Sequence, residues 1–236
     1  MINLENKVVL ITGACGALGR ATTQVFAQVN ARLVLIDINQ ESLKNLSQEL
    51  NNVQHSTYSC DLTNENEVAQ LVNAIVKEND RIDVLLNIAG GFAMGPMVHE
   101  LSQQDFNHMF NMNFMSAFNT CKKVIPQMMQ QGSGRIVNIS ARAATEGKSK
   151  MAPYCISKSA VITLTESLAA EHKQNDININ GILPGTIDTQ TNRKDMPNAD
   201  HSTWVPPTDL ANTMLFLSSD LANSINGAIV PVYGRS

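Results

Sequence analysis

The chain has 236 residues, 17 Lys and Arg against 21 Asp and Glu for a formal charge of −4, and 43% hydrophobic residues. That length suits a single domain whose core needs neither disulfide nor structural metal, and the acidic balance without a basic block argues against a nucleic-acid partner. No aliphatic run approaches the ~20 residues of a membrane span, and Met1-Ile2-Asn3-Leu4-Glu5-Asn6-Lys7 lacks the pattern of a secretory signal, so the expected location is the cytoplasm, with no membrane partner.

Val8–Ile11 is the first expected strand, aliphatic at consecutive positions as a strand buried on both faces must be. Leu18, Ala21, Val25 and Val29 then fall three and four apart, giving one apolar stripe on a helix. Leu33–Ile36 and Val84–Leu86 are further buried strands. The longest helical pattern runs from about Gln103 to Gln130, before Gly132, and its stripe of Met109, Phe110, Met112, Phe114, Met115 and Phe118 reads as core or interface, with core the default. Ile136–Ile139 is another buried strand, followed by a helix carrying Val161, Leu164 and Leu168. Ile177-Asn178-Ile179-Asn180 alternates with period two, which predicts a strand with one less buried face, and Ala228–Val232 is the last strand. Strands alternating with helices predict one α/β domain over residues 1–236, a doubly wound parallel sheet of Rossmann type with helices on both faces. Cys15, Cys60, Cys121 and Cys155 form no C-x-x-C pair and read as free thiols; with five histidines in no ligating pattern, no metal site is expected.

The first strand runs into Thr12-Gly13-Ala14-Cys15-Gly16-Ala17-Leu18-Gly19, a glycine turn opening a helix. Glycines let a backbone turn tightly and approach a pyrophosphate, which the helix N–H groups and dipole then attract. The same triplet also suits a strand-to-helix turn without ligand. Asp37 follows Gly19 by 18 residues, near the offset at which an acid takes the ribose hydroxyls of NAD. Its alternative role is capping the helix that begins near Gln40. Neither Ile38 nor Asn39 offers a cation for a 2′-phosphate, which favours NAD(H) over NADP(H). Asp61 and Asn87-Ile88-Ala89-Gly90 end later strands, where parallel sheets bind ligands, although turn chemistry accounts for them too. Tyr154 and Lys158 are one helical turn apart, so a nearby ammonium is expected to favour the phenolate and bring Tyr154 toward working pH.

These motifs in this order resemble the short-chain dehydrogenase/reductase family, essentially from Lys7 to Gly234. The family's T-G-x-x-x-G-x-G corresponds to Thr12–Gly19, its N-N-A-G to Asn87–Gly90, its helix asparagine to Asn113, its Y-x-x-x-K to Tyr154 and Lys158, and its P-G-x-x-x-T to Pro184–Thr189. The resemblance implies Tyr154 as general acid/base, Lys158 on the nicotinamide ribose and lowering the tyrosine pKa, and Asn113 behind a proton-relay water. It also implies cofactor contacts at Gly13, Cys15, Gly16, Leu18, Gly19, Asp37, Asp61, Leu62, Asn87, Ala89, Gly90, Pro184, Gly185, Ile187 and Thr189, with the Ile187 backbone on the carboxamide. Family members usually form tetramers through the helices before Gly132 and after Tyr154, so a homotetramer, or a homodimer, is implied.

Ala17 and Ile88 are mild departures from the pattern. A larger one is Ala141, 13 residues before the tyrosine, where the family carries a serine donor to the substrate oxygen. Ser140 is one place early and points to the opposite face unless the strand has ended or bulged. Loss of such a donor costs about 10²–10³ in rate for carbonyl reduction, less for an electron-poor conjugated ring. Segments Gly16–Gly19, Ala141–Ala144 and Asp188–Asp200 with Trp204 resemble the dihydropteridine reductases, whereas Ser157–Ala160 and Ile225–Ala228 resemble the general bacterial ketoreductases acting on acyl-carrier-protein thioesters. Residues 186–206 lie where the family places a substrate lid; Asn192–Asp200 is alternatively plain polar surface, and Trp204 plain packing. Substrate contacts are expected at Ser140, Ala141, Arg142 and Thr186, with pairing to Glu146 the simpler role for Arg142. The sequence thus predicts an NADH-dependent reductase of a small carbonyl or pterin-like substrate, with a 3-oxoacyl-thioester reductase as alternative and a non-catalytic dinucleotide sensor or scaffold as the competing class.

Overall fold

In the computed structural model, which describes residues 2–235, the chain forms one seven-stranded parallel sheet with helices on both sides. Residues 1 and 236, the ends of the expected domain span, lie outside the described residues. The elements are β1 Val8–Thr12, α1 Ala17–Ala27, β2 Arg32–Asp37, α2 Gln40–Glu49, β3 His55–Ser59, α3 Glu65–Asn79, β4 Val84–Asn87, α4 Gln103–Phe110, α5 Ser116–Gln131, β5 Gly134–Ile139, α6 Ala152–His172, β6 Ile177–Pro184, α7 Gln190–Asp195, α8 Pro207–Leu217 and β7 Ile229–Val232. Strand order is β3-β2-β1-β4-β5-β6-β7, so the direction of winding reverses between β1 and β4. Crevices at such a reversal, beyond the carboxyl ends of the strands, are where open α/β sheets bind ligands.

The aliphatic strands form the centre because alternate residues feed separate cores. Val9 and Ile11 of β1 pack with Phe26, Leu43, Leu46, Leu210 and Met214 on the face covered by α1, α2 and α8. Val8 and Leu10 pack with Val68, Ile75, Val124 and Met128 on the face covered by α3 and α5. Asp83 sits at the amino end of β4, buried; it pairs with Lys7 at 3.2 Å and Arg81 at 2.5 Å and accepts the Val8 N–H at 2.9 Å, tying β1 to β4.

Three expectations change. β6 is buried on both faces along its whole length, because Asn178 donates to the carbonyls of Ala222, Asn223 and Ile225, and Asn180 to that of Ile225, so these amides are satisfied without water. The long helix over residues 103–131 contains a π-helical stretch, Asn111–Met115, between α4 and α5. Its apolar stripe is not simply core: Met109 is buried, whereas Phe110, Phe114 and Phe118 are half-buried and form, with Phe106, a ladder of rings 5.0–6.1 Å apart. All four cysteines are free, and no described helix is long and apolar enough to cross a membrane.

Candidate active site

The reversal point is built from two loops that one hydroxyl joins. Thr12, at the end of β1, donates to the Leu86 carbonyl at 3.2 Å and accepts the N–H groups of Ile88 at 2.9 Å and Ala89 at 3.1 Å. Gly13 has φ +63° and lies so close to the second loop that a Cβ would stand 2.9 Å from Ala89 Cα. At Gly19 a Cβ would come within 2.1 Å of the Gly13 carbonyl oxygen, so this turn of α1 closes on the loop only as glycine. Gly16 caps α1 with backbone alone, which leaves the helix N-terminus, running into Leu18, without a side chain across it. Asp37 at the end of β2 accepts the Cys15 N–H at 3.0 Å and the Asn39 N–H at 3.1 Å. The cap of α2 is instead Asn39, which accepts from Ser42 at 2.9 Å. Asp37 therefore braces the glycine turn, and burial with the adjacent carboxylate pushes the Cys15 thiol up to about 11.

Around this turn, Asp61 accepts the Thr63 N–H and hydroxyl, and the next residue, Leu62, is buried with its carbonyl held by Asn119 Nδ2 at 3.0 Å. Asn87 is turned inward: its amide donates to Asn138 Oδ1 at 2.9 Å and accepts the Thr120 hydroxyl at 2.7 Å, bracing β4 on β5 and α5. Ala89 and Gly90 follow as bare backbone at the sheet edge.

Two of the side chains expected to carry the chemistry, Asn113 and Lys158, converge on Gly90. Asn113, in the π-helical stretch, accepts the Gly91 N–H at 3.1 Å and donates to the carbonyls of Gly91 at 3.0 Å and Met109 at 3.1 Å. A Cβ at Gly90 would stand 2.6 Å from Asn113 Oδ1 and 3.3 Å from Lys158 Nζ, so its absence lets the two groups share that backbone. Lys158 is buried in α6 one turn beyond Tyr154; its Nζ donates to the Ile139 carbonyl at 2.9 Å, and its own carbonyl accepts the Ser140 hydroxyl at 2.7 Å. Neighbouring residues at the end of β5 thus hold Lys158 at both ends. Burial lowers the lysine from 10.5 to about 8. Burial, with a smaller contribution from Cys155, also raises Tyr154 to about 12, opposite to the expected lowering.

Ser140 is buried with its hydroxyl proton committed to the Lys158 carbonyl, and Ala141 is extended, with φ −161°, and buried. Glu146 pairs with Lys148 at 2.5 Å and also feels the Arg142 charge, both of which lower its pKa, while the Arg142 guanidinium lies 5.1 Å from the Tyr233 ring centroid. Pro184 ends β6, and the Gly185 N–H donates to the Val232 carbonyl at 2.9 Å. The 186–206 segment is ordered: Ile187 bridges Val205, the Val205 N–H reaches the Thr186 carbonyl at 2.8 Å, Thr189 caps α7, and Asp188 binds Arg193 through two hydrogen bonds at 2.5 and 2.7 Å. Trp204 is buried at its base, 4.4 Å from the His201 ring. Sequence reasoning gave no role to Thr12, Asn119 or Phe92, whose ring stands edge-on to Tyr154 at 5.0 Å. A lone hydroxyl ending an aliphatic strand was the available signal for Thr12. Among the described residues, no group of three His, Cys, Asp or Glu is placed to hold a metal ion.

A family model described as short chain dehydrogenase matches residues 7–200. The chain is 31% identical to a 3-oxoacyl-acyl-carrier-protein reductase of Thermotoga maritima, covering 99% of this chain and 98% of that one. It is 33% identical to a D-threitol dehydrogenase of Mycolicibacterium smegmatis, over 98% and 93% of the two chains. Its fold is similar to that of an NAD+-bound xylitol dehydrogenase, with a TM-score of 0.89, 28% identity, and 98% and 99% of the chains covered. With the glycine turn at the sheet reversal and Tyr154, Lys158 and Asn113 gathered beside it, these matches make the chain a member of the short-chain dehydrogenase/reductase family, an NAD(P)-dependent oxidoreductase.

Proposed function

We propose that the protein is an NADH-dependent reductase of a small carbonyl or conjugated, pterin-like acceptor, with Tyr154 as proton donor. The observation that carries this reading is the convergence of Asn113 and Lys158 on Gly90, one helical turn from Tyr154. The residues present fit a dinucleotide: Gly13, Cys15, Gly16, Leu18 and Gly19 offer backbone to the pyrophosphate, Asp37 a carboxylate to the ribose, Asp61 and Leu62 the adenine wall, and Asn87, Ala89 and Gly90 the opposite loop. Pro184, Gly185, Ile187 and Thr189 hold the carboxamide end. NADH, when bound, supplies the hydride. The Tyr154 phenol is protonated at neutral pH, as an unperturbed tyrosine is and as a donor must be, and burial shifts it further in that direction. Lys158, held through both its ends, presents its ammonium beside the ribose position, and Asn113 fixes the Gly91 loop.

Ala141, with the Ser140 proton already committed, supports an acceptor that needs no hydroxyl donor, as a quinonoid dihydropterin would be; in this reading Arg142 and Thr186 are further substrate contacts. The 186–206 segment is the substrate lid, in a single domain. The relative in Thermotoga maritima supports the second reading, reduction of a 3-oxoacyl thioester. The half-buried phenylalanine ladder along α4 and α5 supports association through these helices and α6 into a homotetramer, which light scattering would measure. The deciding assay is NADH oxidation with a quinonoid dihydropterin and an acetoacetyl thioester, run on the native protein, Ala141→Ser and Tyr154→Phe, with NADPH as control. The pterin is expected to turn over with NADH, Ala141→Ser to bring no gain, and Tyr154→Phe to lose about 10²-fold or more. Undiminished turnover by Tyr154→Phe removes the proton-transfer role; reaction with the thioester alone establishes the second reading.

A further inference from the structure

We infer that residues 92–98 form an apolar shelf selecting substrates with a flat aromatic or conjugated group at or beside the reducible centre, with Phe92 the specificity-determining residue. The inference rests on the proposal that Tyr154 hydrogen-bonds the substrate oxygen, and it adds what lies beyond that oxygen.

Phe92, Met94, Met97 and Val98 are 54%, 62%, 52% and 68% exposed. Large apolar side chains seldom cluster in water without an occupant, and these four fall within seven residues of one loop. The loop is also fixed. Gly91 is held by both polar atoms of Asn113, at 3.1 and 3.0 Å, and the Gly95 N–H donates to the Lys150 carbonyl at 2.9 Å, just before α6. Between these anchors Phe92 meets Tyr154 edge to face, at 5.0 Å and 81°. One part of the Phe92 ring therefore walls the phenol, and the rest is open to whatever approaches it.

A ligand whose oxygen meets the Tyr154 hydroxyl is within reach of that open ring, since the two ring centroids are 5.0 Å apart. A hydroxylated chain would cover the apolar shelf and lose hydration without recovering hydrogen bonds there. An aromatic ring would stack on Phe92, and the exposed, polarisable thioethers of Met94 and Met97 in the same loop adapt to a flat partner. The shelf contains no Lys, Arg, Asp or Glu between Phe92 and Val98 that would require a charged group.

The test compares 2,3-butanedione with 1-phenyl-1,2-propanedione, which differ by a phenyl ring in place of a methyl beside a reducible carbonyl. Native protein, Phe92→Ala and the double variant Met94→Ser/Met97→Ser are assayed for NADH-dependent reduction, and calorimetry measures binding of each diketone to the protein saturated with NAD+. The phenyl compound is expected to exceed the methyl one by about tenfold or more in kcat/KM and in affinity. Phe92→Ala should abolish that preference, with the loss falling mainly on the phenyl compound, and the methionine variant, which leaves the Phe92–Tyr154 contact intact, should reduce it. Equal losses for both diketones in Phe92→Ala would mean that Phe92 merely supports Tyr154, and an unchanged ratio in the variants would overturn the shelf. If neither diketone is reduced but the binding preference exists and depends on Phe92, the shelf stands and the reductase reading fails; equal binding of the two refutes the shelf itself.

Discussion

Replacing Lys158 by Met should stabilise the fold while it destroys turnover. Burial lowers this lysine from 10.5 to about 8, so below pH 8 the folded protein holds an ammonium that the unfolded chain would hydrate fully. At about 1.36 kcal/mol for each tenfold change in proton affinity, keeping that charge inside costs about 3 kcal/mol. Methionine preserves the apolar stem, but the Ile139 carbonyl loses its 2.9 Å donor, a loss of about 1 kcal/mol. The net gain of about 2 kcal/mol corresponds to roughly 4–8 °C in Tm for a chain of this size. The pH dependence identifies the cause. As pH rises from 8 to 10.5 the folded-state lysine releases its proton while the unfolded one still holds it, so the native protein recovers stability and the variant's advantage shrinks to about zero near pH 10. Thermal melts of both proteins at pH 7 and pH 10, beside NADH oxidation rates, would measure this. A variant less stable at pH 7, or equally favoured at both pH values, would refute the assignment of the cost to the buried ammonium.

Two further outcomes follow from the same geometry. Asp83→Asn should cost on the order of 2 kcal/mol, since Lys7, Arg81 and the Val8 N–H lose their shared carboxylate. Burial alone would raise the Asp83 pKa, but the Arg81 hydrogen bond, the Val8 N–H and the Lys7 charge outweigh it and hold the group below the ordinary carboxylate value. Its contribution is therefore complete above that value and disappears as pH falls through the lower, folded-state one, so urea melts of native protein and Asp83→Asn should converge in acid. Gly13→Ala places a Cβ 2.9 Å from Ala89 Cα at φ +63°, a strain of about 1–2 kcal/mol before any displacement. NADH titration monitored by fluorescence should show at least about tenfold weaker binding, and unchanged affinity would show that this turn does not approach the cofactor.

The strands were legible where consecutive aliphatic residues leave a sheet no face to water, as in β1, β2 and β4. β6 misled because alternation normally marks one wet face; the partners that dry Asn178 and Asn180 are carbonyls more than 40 residues away in sequence. The length of the helix over residues 103–131 was legible in its period, whereas its π-helical stretch was not, since periodicity does not reveal that Asn113 turns inward onto Gly91. At the site, the spacing of Tyr154 and Lys158 placed both on one helix but not the direction of the ammonium, which Ile139 takes from another element. For the same reason the sign of the tyrosine shift was beyond sequence: neighbours along a helix are written in the chain, desolvation is not. Phe92 stood in a loop with no period, and only the fold brings it to Tyr154.

The Ile187–Val205 bridge means that the chain leaves the body of the protein and returns to it through a single doorway. Between Thr189 and the buried Trp204, α7 and the turn that follows make none of the hydrogen bonds that set the register of a sheet strand, so their length and composition can change without shifting the sheet. Because the entropy of closing a loop grows only slowly with its length, such a segment behaves as an exchangeable cassette. Insertions there in evolution, or in the laboratory, leave the sheet and the glycine turn at its reversal as they stand.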